Sequence, residues 1–501
     1  MHCLPQVLFY LFITVPHLKA GITNLKISTN KAVSIISDKF LSVAIDTGQI
    51  RNNFGKLNFT STKVENLAKA LSPCYLRVGG TASDFLKFSP SSNNSQHYKQ
   101  YDIFSSVPDP NEKPFFNFTM SAEQWDQLNI FVAKVGWSLI FDLNSLLRKN
   151  GNWSPENAQL LLNYTSMKGY KIAGWELGNE PDAYNHRFGY RITASQRAED
   201  YLRLHSLLNQ YSEWRKCVTI GPSTTQLKKK RVQKYLKEFL QTGGPDIVTN
   251  PSFHHYYVNG RKTSIDQFMD PAILDELPPE IKAAYKIVKH PPYGRVWLGE
   301  TSSAYGGGAP GLSDRYVAGF MWLDKLGISA ALGISVVVRQ DFYGGHYSLI
   351  DSKTLDPNPD FWLSYMFNTL VGQSVFNVSV QDKSGYVRMY SHCANVKRSN
   401  YTPGSITVYG MNLKEESTTM LFPQFIQDIK LHVYMLQPAD EDGLKSKYVS
   451  LNGRRLKLNT DFSLPDVLTP IVTTNNVTFP PRSFGFIVIP NSNTYICQTL
   501  T

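Results

Sequence analysis

Beyond its first twenty residues this 501-residue sequence lacks any apolar run approaching the roughly 18 residues that a membrane-spanning helix needs, so no integral membrane span is expected. The run at residues 4–15 is too short to cross a bilayer and leads into Leu18-Lys19-Ala20, a signal-peptide ending. Residues 1–20 are therefore expected to be removed and the chain secreted, with the lysosome as a second destination. Cysteine is scarce, at five, which excludes a disulfide-dense scaffold. With Cys3 gone in the signal, four remain. Cys74 and Cys217 read as inert buried thiols opening two separated strands. Cys393 and Cys497 share the C-terminal segment and are expected to pair, pinning the last strand to its sheet. Internal repeats and long low-complexity stretches are missing, so the chain is neither fibrous nor a solenoid. Its 42% hydrophobic and 13% aromatic content suits two domains with large cores. Acidic residues are the minority, 40 against 51 Lys and Arg, for a net charge of +11. In the extracellular space such a surface favours polyanions, and without a nucleic-acid motif an anionic polysaccharide is the expected partner.

What is present begins with Asn-x-Ser/Thr acceptors at Asn58, Asn93, Asn117, Asn163, Asn377, Asn400 and Asn476. Asn152 also qualifies, but it is followed by Trp-Ser-Pro, a poor context. From about residue 40 to 372, short apolar runs alternate with amphipathic helical patterns. Strands are predicted at 41–46, 75–79, 138–143, 172–178, 218–221, 247–256, 295–299 and 335–340, each followed by a helix. Eight βα units in this span predict a (β/α)8 barrel over 41–372 with its active site at the strand C-termini. An open doubly wound sheet would carry a Gly-rich phosphate loop after its first strand, where this chain has Asp46-Thr47-Gly48-Gln49. After Gly372 period-two alternation takes over, which predicts a β-sandwich over 373–501, with residues 21–40 adding strands to it.

Two glutamates close barrel strands: Glu180 in Trp175-Glu176-Leu177-Gly178-Asn179-Glu180-Pro181, ending the fourth, and Glu300 in Leu298-Gly299-Glu300-Thr301, ending the seventh. Strand ends converge on one mouth, so these two can face each other. Cleavage of a glycosidic bond needs such a pair, one acid for the leaving oxygen and one carboxylate opposite it. Pro181 lacks an N–H, which removes one donor from the turn beside Glu180, and Asn179 can bond a sugar hydroxyl. The sixth strand ends Phe253-His254-His255-Tyr256-Tyr257. Adjacent strand residues point to opposite faces and no third ligand has suitable spacing, so metal binding is not expected. Hydrogen bonding to the nucleophile by one His or by Tyr256 is expected instead.

Residues 175–181, 254–260, 296–310 (VWLGETSSAYGGGAP) and 321–327, together with Cys393, resemble the heparanase family, and the similarity covers nearly the whole chain after the signal. The resemblance implies a barrel plus β-sandwich and a retaining endo-β-glucuronidase acting on heparan sulfate, without a cofactor. Carried over by position, it implies Glu180 as proton donor and Glu300 as nucleophile. Substrate contacts would come from Asp46, Thr81, Asn179, Gln226, Gly306, Gly307, Gln340 and Tyr347, with His254 and Tyr256 beside them. Inactive members of the family lack the catalytic carboxylates, and this chain keeps both.

There are departures from the family pattern. Gly48 stands where an asparagine is expected, and Asp182 replaces another directly after Pro181. A carboxylate there would raise the pKa of Glu180 if close, or be irrelevant if turned away. Residues 115–124, where the family has a basic stretch, contain no Lys or Arg, whereas Lys228, Lys229, Lys230 and Arg231 match its second basic cluster. The polar segment 89–120 is short for an excised activation linker, so a chain active without excision is expected. Heparan sulfate proteoglycans, including those on cell surfaces, are the expected partners. The competing reading is a non-catalytic glycosaminoglycan-binding protein, and a third is a related β-glucuronidase of different glycan specificity.

Overall fold

The computed structural model describes residues 21–91 and 117–498. The expected signal peptide, the Asn93 acceptor and most of the segment 89–120 lie outside the described residues. Eight parallel strands close into a barrel in chain order: Leu41–Asp46, Tyr75–Gly79, Ser138–Leu143, Ile172–Leu177, Val218–Thr224, Asn250–Asn259, Trp297–Tyr305 and Val336–Tyr343. Sequential order is what repeated right-handed βα crossovers produce. Ala44, Ile140, Ile220, Trp297, Val336 and Val338 form an apolar plug inside the barrel. The polar side chains of the site therefore gather above it, toward the strand C-termini. Local signals set the helix ends. Ser121 and Gln124 form a reciprocal capping box at the start of Ala122–Val135, and Gly136 closes that helix at φ 73°.

The last four strands differ from expectation in length. The fifth runs to Thr224, the sixth to Asn259, the seventh to Tyr305 and the eighth to Tyr343. Glu300 therefore lies within its strand rather than at its end. Strands Leu86–Ser89 and Phe118–Ser121 pair in parallel, with Leu86 opposite Phe118 and Ser89 opposite Ser121. These two strands, which flank the polar segment, therefore lie side by side.

The remaining chain forms a 12-stranded mixed sheet. The N-terminal strand Gly21–Ser28 lies inside it, antiparallel to Val371–Val380 and parallel to Thr418–Leu421. One face encloses its own core, in which Leu25, Val408, Val433 and Ile487 meet Met420 and Phe479 from the far end of the sheet. The other face lies on the barrel helix Ala318–Ala331. A Cβ at Gly319 would fall 2.5 Å from the Phe484 ring, and one at Gly327 would fall 2.3 Å from the Tyr390 ring, so both contacts require glycine. With both faces covered, Ile406–Asn412 is buried at every position, which reads in sequence as an apolar run rather than an alternation. Cys393 and Cys497 are joined across 104 residues, and Cys74 and Cys217 are free. The chain-entropy account puts the stabilisation from closing a loop of that size at about 4.7 kcal/mol at most.

Candidate active site

Glu180 follows the fourth strand in a left-handed backbone conformation, φ 53° and ψ 56°, and its N–H donates to the Ser223 carbonyl at 3.0 Å. A non-glycine residue held there, directly before proline, stores strain of order 1–3 kcal/mol and points its side chain into the barrel mouth. Opposite it, a β-bulge between Phe253 and His254 shifts the register so that His254 pairs with Glu300 across strands six and seven. One oxygen of Glu180, one of Glu300 and a ring nitrogen of His254 all lie within 4.8 Å of one another.

Each carboxylate oxygen has its own partner. Glu300 Oε1 accepts from the Tyr256 hydroxyl at 2.7 Å, and Oε2 accepts from Arg77 Nη1 at 2.9 Å. Glu180 Oε1 meets His254 Nδ1 at 2.9 Å, and Oε2 accepts from Arg187 Nη2. Burial alone would raise the pKa of Glu180, but the Arg187 guanidinium and the His254 hydrogen bond outweigh it and hold the acid at about 2. With Arg77 and Arg187 already supplying positive charge to both carboxylates, the cluster fits an acid–base pair better than a cation cage.

Arg77 organises the floor of the site. It rises from the second strand, donates Nε to Glu176 at 2.7 Å and Nη2 to Asn179 at 2.9 Å, and lies 3.9 Å from Asp142. Burial pushes the Asp142 carboxyl well up, and Glu176 beside it adds to the rise. Beneath the wall, the buried Lys325 donates to Thr301 Oγ1 at 2.6 Å and to the Ser302 carbonyl at 2.7 Å, bracing the strand just past Glu300. None of Arg77, Glu176, Asp142, Arg187 and Lys325 was among the residues expected from sequence. A signal existed for the first three, since each interrupts an apolar barrel strand, where a charge is almost never buried unless paired.

Of the expected substrate contacts, Asn179 is fixed by Arg77, and Thr81 accepts from Arg187 Nη1 at 3.0 Å. Asp46 caps the turn after the first strand by accepting from Gly48 N at 2.7 Å, and burial raises its pKa to about 6. Gly48 fits closely here, because a Cβ would fall 2.9 Å from Asp46 Oδ1. The Tyr347 ring stacks on Tyr256 with centroids 6.2 Å apart, and Gln340 is buried in the eighth strand. Gly306 and Gly307 turn with φ 81° and 86° in the loop after the seventh strand, with nothing within 4 Å of where a Cβ would be. Gln226 donates to the Tyr256 carbonyl. His255 points away from the mouth, edge-on to Tyr257 at 4.7 Å. Asp182 also turns aside, accepting from Thr225 N at 2.9 Å. Lys228 to Arg231 are exposed after the fifth strand. Lys228 pairs with Glu276 at 2.7 Å and Arg231 donates to the Asp182 carbonyl at 3.1 Å, while Lys229 and Lys230 face solvent.

The family description "Glycosyl hydrolase family 79, N-terminal domain" matches residues 26–327. The chain is 38% identical over 508 residues to a heparanase of Bos taurus, covering 94% of this chain and 92% of the relative. It is 34% identical over 495 residues to a hyaluronoglucuronidase of Hirudo nipponia, covering 94% and 98%. In fold it is similar to a 4-O-α-L-rhamnosyl-β-D-glucuronidase from Fusarium oxysporum, with TM-score 0.67 and 15% identity, covering 93% of this chain and 99% of that one.

Proposed function

The chain belongs to glycosyl hydrolase family 79 and is a glycoside hydrolase, and on that premise we propose that it cleaves heparan sulfate internally at glucuronate, with retention of configuration. The observation that carries this is the Glu180–Glu300 pair. Glu300 accepts from two donors, Tyr256 and Arg77, one on each oxygen, which fix the orientation of its carboxyl group as a nucleophile needs. Glu180 faces it as acid, then base. The approach within 4.8 Å leaves no room for the water that an inverting enzyme places between carboxyl groups about 6.5–9.5 Å apart. Around the pair, Asp46, Thr81, Asn179, Gln226, Gly306, Gly307, Gln340 and Tyr347 supply polar contacts to the chain. Both carboxylates are in place, which disfavours a purely binding role.

Fragment release from heparan sulfate at mildly acid pH, run beside hyaluronan and chondroitin sulfate, tests this reading. Retention should appear as the β-anomer formed first by NMR. First release of the α-anomer would refute the mechanism. Similarity to a hyaluronoglucuronidase at nearly the same identity supports a second reading, a β-glucuronidase of unsulfated chains, for which hyaluronan would be the faster substrate.

The basic loop is the proposed sulfate grip. Reversing Lys229 and Lys230 to Glu should raise KM for heparan sulfate and flatten its salt dependence, because fewer screened charge contacts remain. The turnover number should change less, since these groups bind ground and transition states alike. An unchanged KM at low salt would dismiss the grip.

Secretion and glycosylation belong to the same proposal, as does association with cell-surface proteoglycans. Asn58, Asn117, Asn163, Asn377, Asn400 and Asn476 are all exposed, as acceptors need to be. Among the described residues no helix is long and apolar enough to cross a membrane. Expression in a secreting eukaryotic cell should yield medium-borne protein that loses mass on N-glycan removal and is active without cleavage in 89–120. Retention in the cytosol would count against it.

A further inference from the structure

We propose that Arg187 is a latch on the acid catalyst, closed onto Glu180 Oε2 until a sulfate group of the polysaccharide draws it off. The inference rests on the reading of Glu180 as the acid. Its two oxygens are held differently. Oε1 is held by His254, which is buried at 1% exposure, while Oε2 is held by Arg187, whose side chain is 31% exposed at the mouth. Of the two contacts on Glu180 the one on Oε2 lies nearer solvent, and the proton for the leaving group belongs on that oxygen.

A guanidinium has donors only and cannot accept from a protonated acid. While it stays, it opposes the state that catalysis requires. Arg187 stands on the short helix Tyr184–Phe188, closed by Gly189 at φ 66°, and bridges to Thr81 Oγ1 on the facing loop. A chain lying against Thr81 brings its substituents to the same guanidinium. Sulfate, like carboxylate and phosphate, presents oxygens that match its fork of donors, and the unsulfated arm of the test below separates it from carboxylate. Once Arg187 moves to sulfate, Glu180 takes a proton from water. It passes that proton to the glycosidic oxygen as the C1–O bond breaks and the bond from C1 to the Glu300 carboxylate forms. Water then adds at C1 as the ester bond to Glu300 breaks, and returns a proton to Glu180.

The other groups facing Glu180 do not replace the latch. His254 and Tyr256 come from the sixth strand and Glu300 from the seventh. Asp182 in the adjoining turn is tied to Thr225, with Arg231 3.9 Å away. Among these, Arg187 alone combines full positive charge, direct contact with Glu180 and access to the cleft.

The test does not depend on turnover. In Glu300→Gln protein with carboxyl-labelled glutamate, Glu180 is titrated by NMR alone, with a sulfated heparin octasaccharide, and with the unsulfated backbone octasaccharide. The sulfated ligand is expected to raise its proton affinity at least tenfold. The unsulfated one should do much less, and adding Arg187→Gln should remove most of the difference. An equal shift with and without Arg187, or with and without sulfate, overturns the latch, and Arg187→Lys repeats the measurement if Arg187→Gln does not fold.

In the active enzyme, the basic limb of kcat/KM reports the free protein and that of kcat the complex. On sulfated substrate the first should lie at lower pH than the second, and the two should converge in Arg187→Gln. Absence of cleavage in every assay would remove the Proposed function while leaving the titration result standing on its own.

Discussion

Replacing Glu300 by glutamine should abolish turnover while leaving the protein folded. The substitution is nearly isosteric, and the site can receive it. The new amide oxygen can accept from Arg77, and the amide N–H can donate to Tyr256, whose hydroxyl also accepts. The reaction loses its nucleophile, and no other carboxylate stands on the seventh strand to replace it. Glu180→Gln removes positioned acid catalysis, which contributes about 10²–10⁴-fold. The two variants separate by leaving group. On an aryl glucuronide with an acidic phenol, which departs without protonation, Glu180→Gln should recover much of the first step and Glu300→Gln none. Normal turnover by folded Glu300→Gln would sink the assignment.

The second large effect is on the fold itself. Arg77→Met removes the cation that Glu176, Glu300 and Asp142 share. Breaking a buried pair from one side costs about 3–5 kcal/mol, because the orphaned charge stays in low dielectric. Here two bonded carboxylates are stranded at once, and Asn179 loses its donor as well. The urea midpoint should fall accordingly, and activity with it. Arg77→Lys should rescue only part, because one ammonium cannot direct separate N–H groups at Glu176, Glu300 and Asn179. A midpoint unchanged in Arg77→Met would mean that the network carries no such load.

The barrel was readable because parallel strands buried on both faces appear as apolar runs, and all eight were found. Their ends were less readable at the mouth, where Ser223 and Thr224, Thr301 to Ser303, and Asp341 continue the ladder with polar side chains that look like loop. Glu180 and Glu300 were visible as glutamates at the ends of such runs. The partners of these two were only half visible. Arg77 sits in Tyr-Leu-Arg-Val-Gly, a charge inside an apolar strand, which announces a buried counter-charge. Arg187 lies in Tyr-Asn-His-Arg-Phe, a polar stretch like many surface turns, and only the left-handed bend at Glu180 brings it back onto the acid. The N-terminal strand was expected to join the sheet, but its parallel pairing with Thr418–Leu421, some four hundred residues away, leaves no mark in local pattern.

The helix Ala318–Ala331 faces two ways. Its Lys325 braces the strand that carries Glu300, while the preceding residue, Asp324, accepts from Arg388 at 2.6 Å and from Tyr390 on the sheet. Gly319 and Gly327 bring the helix backbone onto the rings of that sheet. A barrel deprived of the sheet would expose this helix, a stripe of apolar backbone and an uncompensated aspartate, next to the catalytic strand. The sheet is therefore no detachable module. It and the barrel are expected to unfold together, so a sheet truncation should cost the active site its brace as well as its cover.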